Sequence, residues 1–203
     1  MSRPRFIARQ FARPSGILGR IVARLMNRGN AGMNAFAVKM LDVGATDRVL
    51  EIGFGGGVTL PSLIDSAAFV AGIDRSRDMV KRARKEFAET ISSKRADFYE
   101  SNVERLPFTP ASFGRVCTVN TVYFWASLDA AFAEIHRVLV PDGRLVVGFL
   151  PKERMNLMDL PTDIFTARTV EEVVAALART GFQKVSVERP QPATPWAVVV
   201  AMR

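Results

Sequence analysis

Val49-Leu50-Glu51-Ile52-Gly53-Phe54-Gly55-Gly56-Gly57 is the stretch on which the fold turns. An apolar run of strand character ends in a glycine-rich turn, and residues 57–66 then carry a helical pattern. Glycines allow tight turns and let a ligand approach the backbone without interference from a Cβ. A helix starting near Gly57 would aim its free N–H groups at the same space. Asp74 stands 21 residues after Gly53, at the end of the next strand-like run. The ends of adjacent parallel strands meet at a binding crevice, and a ribose-binding carboxylate belongs there. A dinucleotide turn, G-x-G-x-x-G, would need glycine where this chain has Val58. The spacing here is G-x-G-x-G, preceded by the acidic Glu51.

From Arg48 onward, strand-like and helix-like stretches alternate. Strands are expected at Arg48–Ile52, Phe69–Asp74, Ala96–Glu100, Arg115–Asn120, Arg144–Phe149, Lys184–Glu188 and Trp196–Ala201, each short and bounded by turn residues. Helices are expected at Gly57–Ser66, Ser76–Ile91, Leu128–Leu139 and Val170–Thr180. Thr169 and Glu172 form a capping box for the last of these, and Gly181 ends it. The alternation predicts an α/β domain with a largely parallel sheet covered on both faces. The last two strands are joined by only seven residues, Arg189 to Pro195, too few for a parallel crossover, so they must run antiparallel.

Charge divides the chain. Eight of its 28 basic residues lie before Asp42 with no acid among them, and the remainder balances at 20 against 20. The net +8 therefore belongs to an N-terminal arm, and the body is neutral. We read residues 1–42 as a basic amphipathic helical arm or cap and 43–203 as the main domain. Within the arm, helices are expected over Ser15–Asn27 and Asn30–Leu41. Ile17, Leu18, Ile21, Val22, Leu25 and Met26 form one face of the first helix, with Arg20, Arg24 and Arg28 on another. This pattern fits either a helix lying on an anionic membrane surface or a cap over the binding site.

Composition excludes several classes. With 48% hydrophobic and 24% charged residues in 203, the chain is neither disordered nor fibrous. Its longer apolar runs, such as Trp196–Met202, fall far short of the roughly 20 residues that cross a bilayer. A single cysteine, Cys117, cannot form an internal disulfide, and a single histidine, His136, leaves no Cys/His zinc site. A reducing cytoplasmic setting is expected, with contact at the inner membrane face if the arm binds lipid.

Four motifs stand in order: Val49–Gly57, Gly72-Ile73-Asp74, Asn102-Val103-Glu104-Arg105-Leu106-Pro107-Phe108, and Glu134–Gly143. Together they resemble the class I S-adenosylmethionine (SAM) dependent methyltransferases, especially the ubiquinone/menaquinone-methyltransferase-like group. The resemblance spans residues 47–202. It implies a Rossmann-like, doubly wound, seven-stranded sheet, mostly parallel with the last strand reversed, and an N-terminal helical cap. It also implies site roles. Gly53, Gly55 and Gly57 with their backbone would contact the methionine part of SAM, and Glu51 would shape that loop. Asp74 would accept from the ribose hydroxyls, with Arg75 and Met79 beside the adenine. Asn102 would read the adenine amino group next to the Val103 N–H, and Asn120 would line the pocket near the methionine amino group and the acceptor. The chain departs from the family pattern at Asn102, at Phe113-Gly114 and at Pro141-Asp142-Gly143.

Methyl transfer is an in-line displacement on an activated carbon, so alignment and desolvation can supply much of the rate. The residues after the fourth strand, Asn120-Thr121-Val122-Tyr123-Phe124-Trp125, hold no carboxylate, and no metal is expected. Tyr123, Phe124 and Trp125 are candidates for an aromatic wall around a small-molecule or lipid-like acceptor. His136, mid-helix in a segment that packs on the sheet, is read as structural, and Cys117 as core. Residues 152–168 form the longest connection and fit either a lid or a surface loop. A non-catalytic SAM-binding or regulatory module is the alternative. A nucleic-acid methyltransferase is disfavoured, because the arm offers only Phe6, Phe11 and Phe36 for stacking and Asn120 begins no Asn-Pro-Pro-aromatic motif. A nicotinamide oxidoreductase is disfavoured by Val58 and by the reversed strand.

Overall fold

The computed structural model describes residues 30–158 and 160–203. The expected helix Ser15–Asn27, with its arginines, lies outside the described residues. Seven strands form one sheet: β1 (Arg48–Ile52), β2 (Phe69–Asp74), β3 (Ala96–Glu100), β4 (Phe113–Val119), β5 (Leu139–Phe149), β6 (Gln183–Glu188) and β7 (Ala197–Met202). Their order is β3-β2-β1-β4-β5-β7-β6. The pairs β1–β2, β1–β4, β2–β3 and β4–β5 are parallel, whereas β7 runs antiparallel to both β5 and β6. The reversed strand is the one the short 189–195 connection required.

Apolar side chains fill both faces of the central strands. One face carries α1 (Ala31–Leu41), α2 (Leu60–Ser66) and α3 (Arg77–Glu86), with Ala37, Leu41, Leu63 and Val80 packed beneath them. The other carries α5 (Leu128–Val138) and α7 (Val170–Arg179), packed through Phe132, Ile135, Val173 and Leu177. A short helix, α4 (Ala88–Ser92), follows α3, and α6 (Lys152–Met155) follows β5. The described end of the arm is thus part of the fold: α1 lies against β4, β5 and β7 with Met33, Ala37 and Leu41 buried. The capping box of α7 is present, with the Thr169 and Glu172 side chains each accepting from the other's backbone N–H.

The largest departures from expectation each have a physical reason. The first core helix starts at Leu60, not Gly57, because Gly53, Gly55 and Gly57 all hold positive φ (71°, 50° and 72°) and so stay out of helix. The run 76–91 is broken at Phe87 (φ −108°, ψ 29°), whose ring packs on Phe98 at 5.7 Å. β5 begins at Leu139 rather than Arg144. Its register with β4 shifts between Phe113 and Arg115, so the Pro141-Asp142-Gly143 turn is absorbed as an irregularity within the strand, with Asp142 at φ 57°.

The chain order reverses at β1: β2 and β3 lie to one side, β4 and β5 to the other. The connections leaving the carboxyl ends of β1 and β4 therefore turn to opposite faces of the sheet, and a cleft opens between them.

Candidate cofactor cleft

The cleft encloses about 960 Å³, part of it open to solvent. Glu51, Gly53 and Gly55 from the first turn border it, as do Asp74 and Arg75 after β2, Asn102 and Val103 after β3, and Asn120, Phe124 and Trp125 after β4. Three residues expected at the site do not border it. Gly57 closes the far end of the glycine turn, where a Cβ would press to 3.1 Å from Leu60 Cδ1. Met79, 2% exposed, points from α3 into the core beneath the loop. Tyr123 is buried behind Asn120.

The glycine turn is held from two sides. The Gly53 N–H donates to the Ile73 carbonyl at 2.7 Å, and the Gly55 N–H donates to Asp74 Oδ2 at 2.8 Å. Asp74 Oδ1 accepts at 2.7 Å from the N–H of Ser76, the N-cap of α3. Asp74 thus ties the loop to the start of the next helix, and each of its oxygens keeps lone-pair capacity for a further donor. Burial raises its pKa, while the Ser76 and Gly55 N–H groups and the Arg75 charge oppose that shift. Arg75 is exposed and donates to the Phe124 carbonyl at 3.2 Å, linking the β2 and β4 ends of the cleft.

Glu51 is 7% exposed. Its Oε1 accepts from the Thr59 hydroxyl, and its Oε2 has no partner among the described residues. Thr59 occupies the N-cap of α2 yet makes no cap bond there, so its hydroxyl serves Glu51 instead of the helix. A buried, unpartnered carboxylate oxygen on a cleft wall suits a cationic donor such as an ammonium group. Burial pushes the Glu51 carboxyl from its ordinary 4.5 up to about 7, with the Thr59 bond opposing and the Asp74 charge adding to the rise.

That shift has a sign. The folded chain holds the Glu51 proton more tightly than the unfolded chain does. The resulting stability is complete below pH 4.5 and is lost as pH rises to about 7. The loss amounts to about 3 kcal/mol. Glu51→Gln keeps an acceptor for Thr59 and removes the titration. Without added cofactor, the variant should melt several degrees above wild type at pH 8 and show no such gain at pH 4. Equal differences at the two pH values would mean that Glu51 ionises at an ordinary carboxylate pH.

Residues not anticipated as site residues include Asn30 and Asn34 at the start of α1, Thr59, Ser101 and Thr121. The two asparagines, four apart on one helix, were legible only as a helix start. Thr121 faces Gly53, and its hydroxyl bonds that of Thr118, which donates to the Ile52 carbonyl at 2.9 Å. Phe124 packs on Phe165 at 5.0 Å and Trp125 on Phe132 at 5.4 Å, so both rings that border the cleft are backed by core. The connection after β5 is anchored at both ends of its described part. Lys152 N–H donates to the Arg168 carbonyl and Thr166 N–H to the Tyr123 carbonyl, with Met155 and Phe165 buried and Leu157 exposed.

His136 and Cys117 lie elsewhere. The His136 ring stands edge-on to Phe182 at 5.2 Å and does not border the cleft, and burial followed by the Arg203 charge lowers its pKa. Burial raises the Cys117 thiol well above its usual range. His136→Ala should therefore keep methyl transfer within about threefold of wild type in a variant with native circular dichroism. A loss of about 10²-fold at unchanged SAM affinity would make it a general base.

Residues 50–147 match the methyltransferase domain family. The chain is 24% identical over 170 residues to the uncharacterized methyltransferase YdaC of Bacillus subtilis, covering 83% of this chain and 89% of YdaC. It is 32% identical over 157 residues to a malonyl-[acyl-carrier protein] O-methyltransferase of Geobacter sulfurreducens, covering 69% of this chain and 57% of that protein. A ubiquinone/menaquinone biosynthesis C-methyltransferase of Geotalea daltonii is 26% identical over 115 residues, and the chain spans about half of its length (49%). Among solved structures, an S-adenosylmethionine dependent methyltransferase from Mesorhizobium loti superposes with a TM-score of 0.70 at 20% identity, covering 83% of this chain and 96% of that one. Glycine turn, the carboxylate ending β2, reversed last strand and relatives agree: residues 50–147 form a methyltransferase domain, and the chain's homologues are class I SAM-dependent methyltransferases.

Proposed function

We propose that the cleft binds SAM along the glycine turn and passes its methyl group to a small-molecule or lipid-like acceptor without a metal ion. The observation that carries this reading is the character of the wall beyond Glu51 and Asp74. That wall is made of the amides of Asn30, Asn34 and Asn120 and the rings of Phe124 and Trp125. Among the described residues its one cation, Arg75, already donates to the Phe124 carbonyl. Such a wall favours a neutral, partly apolar acceptor over a polyanion.

SAM supplies a methyl carbon on a sulfonium, already activated for displacement. In this reading the Gly53–Gly55 backbone and Glu51 hold the methionine moiety, and Asp74 accepts from the ribose hydroxyls. Arg75, Asn102 and Val103 border the adenine, while Phe124 and Trp125 exclude water and align the acceptor. Incubating the protein and labelled SAM with a whole-cell extract of lipids and metabolites, with and without excess chelator, tests it. Mass spectrometry should find label in a small or lipid-like product in both arms. Label confined to nucleic acid would overturn the acceptor class, and a requirement for added magnesium would overturn the metal-free mechanism.

Residues 1–42 are proposed as the cap of the domain 43–203, because Asn30 and Asn34 border the cleft and the chain enters the fold at its rim. Attachment to an anionic inner membrane face is the other reading of the acid-free arm. Among the described residues, no helix is long and apolar enough to cross a membrane. A cap should show no preference for anionic over neutral liposomes in co-sedimentation at low salt. Salt-sensitive binding that vanishes on removing the first 28 residues would establish the membrane reading instead.

A further inference from the structure

The structure assigns Tyr123 a positioning role: it holds the Asn120 side chain with its NH2 group toward the cleft, so that the cleft reads a hydrogen-bond-accepting oxygen there and rejects an amine. The inference rests on the cleft being the SAM site and adds a determinant of what is read within it.

Asn120, the residue after β4, stands in the left-handed region (φ 58°), with its N–H donating to the Gly148 carbonyl at 2.8 Å. Its root is therefore set by the backbone. A 3₁₀ turn over Val122–Phe124 then brings Tyr123 back behind it, 6% exposed and outside the cleft lining. Three groups meet the Tyr123 hydroxyl. The Leu150 N–H donates into its oxygen, Asn120 Oδ1 lies 3.0 Å away, and the Leu150 carbonyl lies 3.3 Å away.

A phenol has one proton to give. With Leu150 already donating into the oxygen, that proton goes to Asn120 Oδ1, the nearer acceptor. The opposite amide orientation would aim a second N–H at the same oxygen and leave the phenol proton to the longer Leu150 contact. Burial raises the Tyr123 pKa, so the hydroxyl keeps its proton through the neutral range. Asn120 Nδ2 makes no hydrogen bond among the described residues, and Asn120 borders the cleft. A fixed donor beside a cofactor is satisfied by an oxygen lone pair and is left unpaired by an ammonium.

Two oxygens can meet this requirement: the carboxylate of SAM's methionine moiety, or an oxygen of the acceptor. Tyr123→Phe releases the amide to rotate. Asn120→Asp keeps one oxygen on Tyr123 and turns an acceptor where the donor was. Both are compared with wild type by calorimetry with SAM and with decarboxylated SAM, by thermal melting, and by labelled methyl transfer into the extract. If the oxygen is the cofactor's, Asn120→Asp should bind SAM at least about tenfold more weakly and Tyr123→Phe about threefold, with decarboxylated SAM unchanged. If the oxygen is the acceptor's, SAM affinity should hold while labelling falls in the same order.

Equal losses for both cofactors would show a merely structural role and overturn the proposal. So would variants indistinguishable from wild type in binding and transfer, or an Asn120→Asp variant that improves either. If Tyr123→Phe does not fold, Asn120→Asp decides alone. A wild type that binds no SAM would instead overturn the reading of the cleft, a result visible before any variant is made.

Discussion

Gly53→Ala is expected to weaken SAM binding by at least about 100-fold. Two costs coincide at this position. With φ at 71°, any L-residue pays about 1–2 kcal/mol for the left-handed conformation. The added Cβ would also fall well inside van der Waals contact with Thr121 Cγ2. Thr121 cannot easily yield, because its hydroxyl is bonded to Thr118, itself bonded to the Ile52 carbonyl of β1. The turn must move instead, and with it the Gly55 N–H that meets Asp74. Gly55→Ala is the comparison. Its φ of 50° carries the conformational cost, but among the described residues its Cβ meets nothing closer than the Gly53 carbonyl at 4.0 Å. With that space open, Gly55→Ala should bind measurably and Gly55→Val, with its β-branch beside the proposed cofactor path, should not. Calorimetry alongside circular dichroism checks all three. A folded Gly53→Ala protein with wild-type affinity would show that the glycine turn does not hold SAM.

Asp74→Ala should cost about 2–4 kcal/mol of SAM affinity, roughly 30- to 1,000-fold. In the proposed binding mode the substitution removes charge-assisted acceptors for the ribose hydroxyls. It also frees the Gly55 and Ser76 N–H groups, so the loop and the start of α3 lose their common anchor. Stability should change much less than affinity. The ionised carboxylate is itself disfavoured by burial, as its raised pKa shows, and removing it relieves that cost while the two N–H groups lose their partner. A large fall in affinity with a small shift in melting temperature is therefore the expected signature. Unchanged affinity in a folded variant would dissociate Asp74 from the ribose.

Much of the fold was legible because its information is local. The apolar runs of β1, β2 and β3 match their observed limits, and the capping box of α7 lies within four residues of sequence. The reversal of β7 followed from chain length alone, since a seven-residue connection can only turn back. Boundaries slipped where a tertiary contact overrode local pattern: at Phe87, drawn onto Phe98, and at Leu139, drawn into pairing with Phe113. The start of α2 was misplaced for a different reason. A glycine run announces conformational freedom without saying how many residues use it, and positive φ at Gly57 delayed the helix to Leu60.

By itself the sequence determined the strand–turn–helix unit, the placement of Asp74 at the end of β2, and the segregation of positive charge into the first 42 residues. Periodicity and spacing along the chain are sufficient for these. Only the tertiary structure decided which neighbour each side chain meets. Thr59 lay inside the expected helix Gly57–Ser66, but its hydroxyl reaches Glu51 eight residues back across the glycine turn. Met79 falls within the expected cofactor motif, yet α3 rolls it into the core. Gly53 and Gly55 look equivalent in sequence, and only the approach of Thr121 from β4 separates them. Tyr123 read as one ring among three, while the chain's return at Leu150 makes it the support behind Asn120. Local pattern specifies which face of an element is apolar. The partner of a polar atom is set by elements that crossovers bring together from far along the chain, and spacing within one element carries no record of that.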